Sequence, residues 1–150
     1  MIHPLLQHLE QADSGLFIHA PEGTCQLLAE ALGEAGKTLA GLTETEDSAL
    51  AIEQLVDQLA VEPGHTLAAT LEAASRLIGG PIYIVIDRAE RLEHSDLTCA
   101  LKAARDALAS SELAGLRLAF FSTDRAALER MTRLHASPFF YAPLIDGSKL

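Results

Sequence analysis

Positive charge is scarce in this chain. Eleven Lys and Arg stand against 21 Asp and Glu in 150 residues, a formal net charge of −10. A surface of that sign argues against a nucleic-acid partner, because phosphate backbones need a basic face. The basic residues that gather late (Arg117, Arg125, Arg130, Arg133) form a local basic edge, which suits a protein partner better than DNA. Aromatics are few and tryptophan is absent, so the core must be built from Leu, Ala, Ile and Val. Only two cysteines occur, Cys25 and Cys99, with no C-x-x-C and no His/Cys spacing of a zinc site. They read as reduced thiols serving ordinary packing. One reservation attaches to Cys25, which falls near an expected helix N-terminus, where a thiol can become reactive. No H-E-x-x-H and no G-x-S-x-G is present, which removes the zincin and serine-hydrolase readings. No apolar run reaches membrane-spanning length, and Met1 to Glu10 lacks the basic and apolar regions of a secretion signal. The expectation is a cytoplasmic protein without a membrane partner. Ser148-Lys149-Leu150 does match a peroxisomal address.

What is there is an alternation of strands and helices within one domain spanning 1–150. Leu5 to Ala12 reads as an amphipathic helix, broken at Asp13-Ser14-Gly15, and Leu16 to His19 as a first core strand. Thr24 to Ala35 is helical with Gly36 closing it, and Thr38 to Leu42 is a short strand. An acidic loop, Thr43 to Asp47, ends at a good helix cap, and Ala49, Ile52, Leu55, Val56 and Leu59 recur at helical spacing. Pro63-Gly64 ends that helix, and Thr66 to Ile78 forms the next, closed by Gly79-Gly80. Ile82-Tyr83-Ile84-Val85-Ile86 is apolar without alternation, as expected of a strand buried on both faces of a parallel sheet. Leu97 to Leu113 is helical, Leu116 to Phe121 a strand, Arg125 to Leu134 helical, and Pro138 to Tyr141 a final edge strand. Strands alternating with helices predict a three-layer α/β fold with a mainly parallel sheet flanked by helices.

Three segments at strand ends carry chemistry. The first strand leads into Ala20-Pro21-Glu22-Gly23-Thr24-Cys25-Gln26-Leu27 and then a helix. A Walker A loop, G-x-x-x-x-G-K-[ST], has that context. Here Ala20 and Cys25 stand for the glycines, Gln26 for the phosphate-binding lysine, and Leu27 for the metal-binding hydroxyl. The strand Ile82 to Ile86 ends in Asp87-Arg88, where a Walker B strand ends in two acids. Glu90 follows at a spacing expected to point it elsewhere. The strand Leu116 to Phe121 ends in Ser122-Thr123-Asp124. By itself Asp87 reads equally as a cap of the element that follows, and the end Ser122-Thr123-Asp124 reads first as a helix cap, with Thr123 or Asp124 taking the free amides. Gly36-Lys37-Thr38 spells the end of a Walker motif but follows a helix instead of opening one, so it reads as a helix end. Glu90, Glu93, His94 and Asp96 read as a solvated helix start rather than a cation site.

In this order the three segments resemble the core of the AAA+ and related P-loop ATPases, over about Gly15 to Leu144, with Walker A lost, Walker B partial and the helical lid absent. The resemblance implies a P-loop NTPase-like fold. It also implies that Asp87 would hold Mg²⁺ and that Ser122 or Thr123 would take the place of the residue that senses the γ-phosphate. The residues then predict a non-catalytic domain for protein interaction or regulation, with no catalytic residue, no metal and no cofactor. Its interfaces are expected on the acidic helix Ser48 to Ala60 and the arginine-bearing helix Arg125 to Leu134, with another protein or a second copy. An alternative is weak ATP/Mg binding without efficient hydrolysis, through Glu22, Gly23, Thr24, Asp87 and Ser122, with Arg88 or Arg125 acting in trans within an oligomer. A third reading is an unrelated α/β enzyme using His19, Asp87, Ser122 and Thr123 at the carboxyl ends of the strands.

Overall fold

Strand parity organises the molecule. In the computed structural model, which describes residues 2–11, 15–42, 47–110 and 115–147, five strands form one sheet in the order β2-β3-β4-β1-β5. These are β1 (Leu16–His19), β2 (Thr38–Leu42), β3 (Ile82–Ile86), β4 (Leu116–Ser122) and β5 (Leu144–Asp146). Every pairing is parallel: Leu16 lies opposite Ala119, Phe17 opposite Leu144, Thr38 opposite Ile82, and Ile82 opposite Leu116. Alternate side chains leave opposite faces. Phe17, Ala40, Ile82, Ile84, Ile86, Leu118 and Phe120 enter one core cluster, and Leu16, Ile18, Tyr83, Val85, Ala119 and Phe121 the other. All five residues of β3 are buried, which is why its sequence shows no alternation.

Right-handed crossovers decide which helix covers which face. The connection β1 to β2 travels toward one edge, so α2 (Thr24–Glu34) lies on the second cluster with α1 (Ile2–Gln11). The later connections travel the other way. They place α3 (Ser48–Leu59), α4 (Leu67–Ile78), α5 (Asp96–Ser110) and α6 (Arg125–Arg133) on the first. The result is the three-layer, parallel α/β fold expected from the sequence.

The helix ends follow local chemistry. Asp47 accepts from the Leu50 amide at 2.8 Å, Thr66 from Ala69 at 3.0 Å and Asp124 from Ala127 at 3.1 Å, capping α3, α4 and α6. The triplet Gly36-Lys37-Thr38 is indeed a helix end. Gly36 sits at φ 74, its amide donates to Gly33 O, and the Lys37 amide donates to Leu32 O. That pair of bonds closes α2 as a Schellman motif. The parts of the expected elements at Ala12 to Ser14, Thr43 to Glu46, Ser111 to Ala114 and Ser148 to Leu150 lie outside the described residues.

The expected edge strand Pro138 to Tyr141 is not a strand. Phe139 turns inward, fully buried, and its ring meets Phe17 and Phe120 at centroid separations of 5.6 and 5.0 Å. Tyr141 takes a left-handed conformation (φ 69) that no strand accepts, and its amide donates to Thr132 O. The edge strand is Leu144–Asp146 instead, begun by the bond from Phe17 N–H to Pro143 O.

Candidate functional site

The strand order reverses direction at β1, so α2 and α6 leave adjacent strand ends on opposite faces of the sheet. A crevice at such a switch point is the usual ligand position in open α/β sheets. In this chain the loop Ala20 to Gly23, the end of β3 and the end of β4 meet there. A small cavity of about 210 Å³ is lined by His19, Ala20, Pro21 and Thr123.

The loop after β1 closes on itself. Gly23 (φ 90, ψ −16) occupies the third position of a type II turn, which requires a positive φ. The Thr24 amide donates to Pro21 O at 3.3 Å, and the Thr24 hydroxyl donates to the same oxygen at 2.9 Å. Both groups of Thr24 that could serve an anion are therefore engaged within the loop. Pro21 has no amide hydrogen, and the Ala20 amide continues the sheet ladder to Ser122 O. Gln26, in the place of the Walker lysine, extends along α2 toward Glu30 at 3.4 Å. The start of α2 has no side-chain cap, and among the described residues the amides of Cys25 and Gln26 find no acceptor. Those two amides are what is left of a phosphate cradle.

Cys25 is buried beneath this turn, and burial together with the neighbouring Asp87 carboxylate pushes its thiol up to about 12. The reactive thiol considered from its place near a helix N-terminus is thus overturned. Desolvation and a nearby negative charge both oppose the thiolate and outweigh the helix dipole. Asp87 is half-buried at the end of β3. Its Oδ1 accepts from the Arg88 amide at 2.9 Å, and Arg88 turns the chain through a left-handed conformation (φ 52). Asp87 continues the parity of Tyr83 and Val85, toward α2.

Ser122 continues the parity of Leu118 and Phe120, toward α6. It is buried, its hydroxyl donates to Glu90 Oε2 at 2.9 Å, and it accepts from the Asp124 amide at 2.9 Å. Glu90 was expected to point away from the strand ends. The left-handed turn at Arg88 and the 3-10 turn Ala89–Leu92 bring it back over β4 instead. One turn on, Glu93 forms a two-pronged ion pair with Arg130 of α6, whose hydrogen bonds hold the Glu93 carboxyl below its usual range. Two clamps thus join the β3 connection to the β4 connection.

The structure brings the candidate residues into one region without assembling them on one face. Glu22, Gly23, Thr24 and Asp87 belong to the α2 side, whereas Ser122 belongs to the α6 side. His19 and Thr123 share the cavity, and the His19 Nδ1 is buried with no hydrogen-bond partner among the described residues. No three of the His, Cys, Asp and Glu side chains among the described residues form a metal site, Glu90, Glu93, His94 and Asp96 included. Two residues escaped the sequence reading. One is Glu90 in its actual place, and the other is Gly147, where a Cβ would come within 3.1 Å of the Ala20 Cβ and 3.0 Å of Ile18. Neither leaves a motif that sequence alone could flag.

No protein-family model matches the sequence, and no curated protein matches it by sequence. Solved structures do match by fold. A Walker-type ATPase of Pyrococcus abyssi superposes with a TM-score of 0.63 at 11% identity, covering 97% of this chain and 51% of its own. Cdc6p from Pyrobaculum aerophilum gives 0.64 at 14% identity, with 96% and 44% covered. The ADP form of the ORC2 protein of Aeropyrum pernix gives 0.56 at 14%, with 97% and 45% covered. At these identities the likeness is one of fold: this chain shares the parallel, helix-flanked α/β architecture of those structures. It spans about half the length of the structures it matches.

Proposed function

We propose that this domain keeps the architecture of a P-loop ATPase core without its hydrolase chemistry and serves as a protein-interaction or regulatory module. The carrying observation is that three polar side chains around the strand ends are bonded within the chain, whereas the His19 Nδ1 has no partner among the described residues. Thr24 is spent on Pro21, Ser122 on Glu90 and the Asp124 amide, and Gln26 turns to Glu30. The uncharged Gln26 stands in the place of the lysine that would neutralise phosphate charge in a P-loop. The polar surface then carries the function. No helix among the described residues is long and apolar enough to cross a membrane.

A second reading, weak nucleotide binding without hydrolysis, is favoured by one observation: the uncapped start of α2 with the open amides of Cys25 and Gln26. Loss of a charge-assisted lysine contact removes roughly 1.5–3 kcal/mol, a factor of ten to a hundred or more in affinity. Calorimetric titration with Mg-ATP and Mg-GTP, alongside Asp87→Ala, decides between the two. The module reading expects no saturable heat up to millimolar nucleotide. Saturable binding abolished by Asp87→Ala overturns it in favour of a rebuilt nucleotide site.

A further inference from the structure

Charge is segregated along this chain more sharply than its net value shows. Residues 38–75 contain seven Asp or Glu and no Lys or Arg, while 130–145 contain two Arg and no acid. The topology carries the elements β2 and α3 of the first stretch and the end of α6 and the start of β5 of the second to opposite edges of the sheet. β2, with α3 packed on it, is one edge, and β5, with α6 beside it, is the other. Four strand spacings separate them, about 19 Å.

Each face has unpaired charge and an exposed apolar anchor. On α3, Leu50, Glu53 and Asp57 follow helical spacing along one exposed stripe. Leu50 is 37% exposed, and neither acid has an ion pair among the described residues. At the other edge Arg133 is exposed without an ion pair among the described residues, whereas Arg125 and Arg130 are taken by Glu129 and Glu93. Beside it Leu134 and Tyr141 are 54% and 83% exposed. Tyr141 is not a loose ring. It stacks on Phe140 at 4.1 Å, Phe140 meets His135 at 4.3 Å, and the Tyr141 and Ser137 bonds to Thr132 O and Arg130 O tie the turn to α6. A strained backbone thus holds an aromatic ring in water beside an arginine, and Tyr and Arg are the residues that anchor interfaces.

We propose that the partner of this domain is a second copy of itself, joined head to tail. The Arg133, Leu134 and Tyr141 face of one copy meets the Leu50, Glu53 and Asp57 face of the next. Strand addition is not the mode, because Gln58 bonds both the amide and the carbonyl of Gly41, at 2.7 and 2.8 Å, and covers the edge of β2. The contact is heterologous: each copy keeps one free face of each kind, and assembly continues until a ring closes or the chain of copies ends. This inference rests on the interaction-module reading and names its partner.

The test is sedimentation equilibrium of the wild type, Arg133→Glu and Asp57→Lys, each alone and the two variants mixed. The wild type is expected to associate, more weakly at high salt. Each substitution alone is expected to raise the dissociation constant about tenfold or more. The mixture is the decisive sample. Arg133→Glu retains a good acidic face and Asp57→Lys a good basic one, and the two reversed charges are themselves complementary, so the mixture must associate more tightly than either variant alone. A wild type that stays monomeric at low salt, or a mixture no more associated than its components, overturns the proposal. Either result leaves the nucleotide titration, which tests the module reading, unaffected.

Discussion

The thiol of Cys25 gives the most direct physical handle on the remodelled loop. An ordinary value of 9.0 is raised to about 12 by burial and by Asp87, so the folded protein holds the Cys25 proton far more tightly than the unfolded chain does. Below pH 9 both states are protonated and the shift contributes nothing. Above pH 9 the unfolded thiol ionises while the folded one does not, and stability falls by about 1.4 kcal/mol per pH unit. By pH 10.5 the loss attributable to Cys25 is about 2 kcal/mol, and it levels off above the folded value. Denaturant unfolding at a series of pH values, for wild type and Cys25→Ala, isolates the contribution from every other titrating group. The variant is expected to lose about 1 kcal/mol at pH 7 through the small cavity it leaves, and then to show the shallower alkaline decline. Identical slopes for the two proteins between pH 9 and 10.5 would refute the burial of the thiol, with Asp87 beside it, that raises its value. Alkylation is an independent check: in Cys99→Ser the remaining thiol should react with iodoacetamide at pH 8 only when the protein unfolds.

Glu93→Gln should flatten the acid limb of the stability profile. The Glu93 carboxyl is held below its ordinary 4.5 by hydrogen bonds from Arg130, so its contribution is present above pH 4.5 and is lost as pH falls through the lowered value. A wild type and variant with parallel acid unfolding curves would remove this clamp from the account. Asp124→Ala should lower stability by about 1 kcal/mol through loss of the α6 cap, measured by urea unfolding, with Asp124→Asn restoring most of it. Phe139→Ala should cost about 3–5 kcal/mol, since a buried ring wedged against two others leaves a cavity that the sheet cannot close. A loss under 1 kcal/mol would mean that Phe139 lies outside the core.

The elements whose form depends on local pattern were legible in the sequence. β3 announces itself by five apolar residues in a row, α3 by its spacing, and the helix ends by Asp47, Thr66, Gly36 and Asp124, because caps and turns are chosen by near neighbours. The aromatic segment Pro138 to Tyr141 was not, because its apolar run is equally consistent with a strand. What decides it is tertiary: Phe139 fits between two rings contributed by β1 and β4, and that fit forces Tyr141 into a conformation no local signal forecasts. β5 is three residues long, too short for any periodicity. At the site, the strand-end positions of Asp87 and Ser122 were readable as ends of apolar runs. The return of Glu90 was not, since it follows from a left-handed arginine, and arginine carries no preference for that conformation.

The same strand ends explain why so many site-like residues need not make a site. A ligand that binds at a switch point exchanges its water for protein donors and acceptors, and gains only where those groups lack partners. At the end of β4 the Ser122 hydroxyl already donates to one carboxylate and accepts from one amide. At the end of β3 the Asp87 carboxylate accepts from the next residue, and beneath the loop a protonated thiol occupies space that a phosphate cradle needs for glycine. An anion entering here finds only the amides of Cys25 and Gln26 open, and it faces Asp87 and Glu90 with Gln26 in the place of the lysine. Exposed charges without an ion pair among the described residues lie at the flanks, Glu53 and Asp57 on one edge of the sheet and Arg133 on the other. These exposed charges, more than the crevice at the strand ends, are where a protein partner has most to gain.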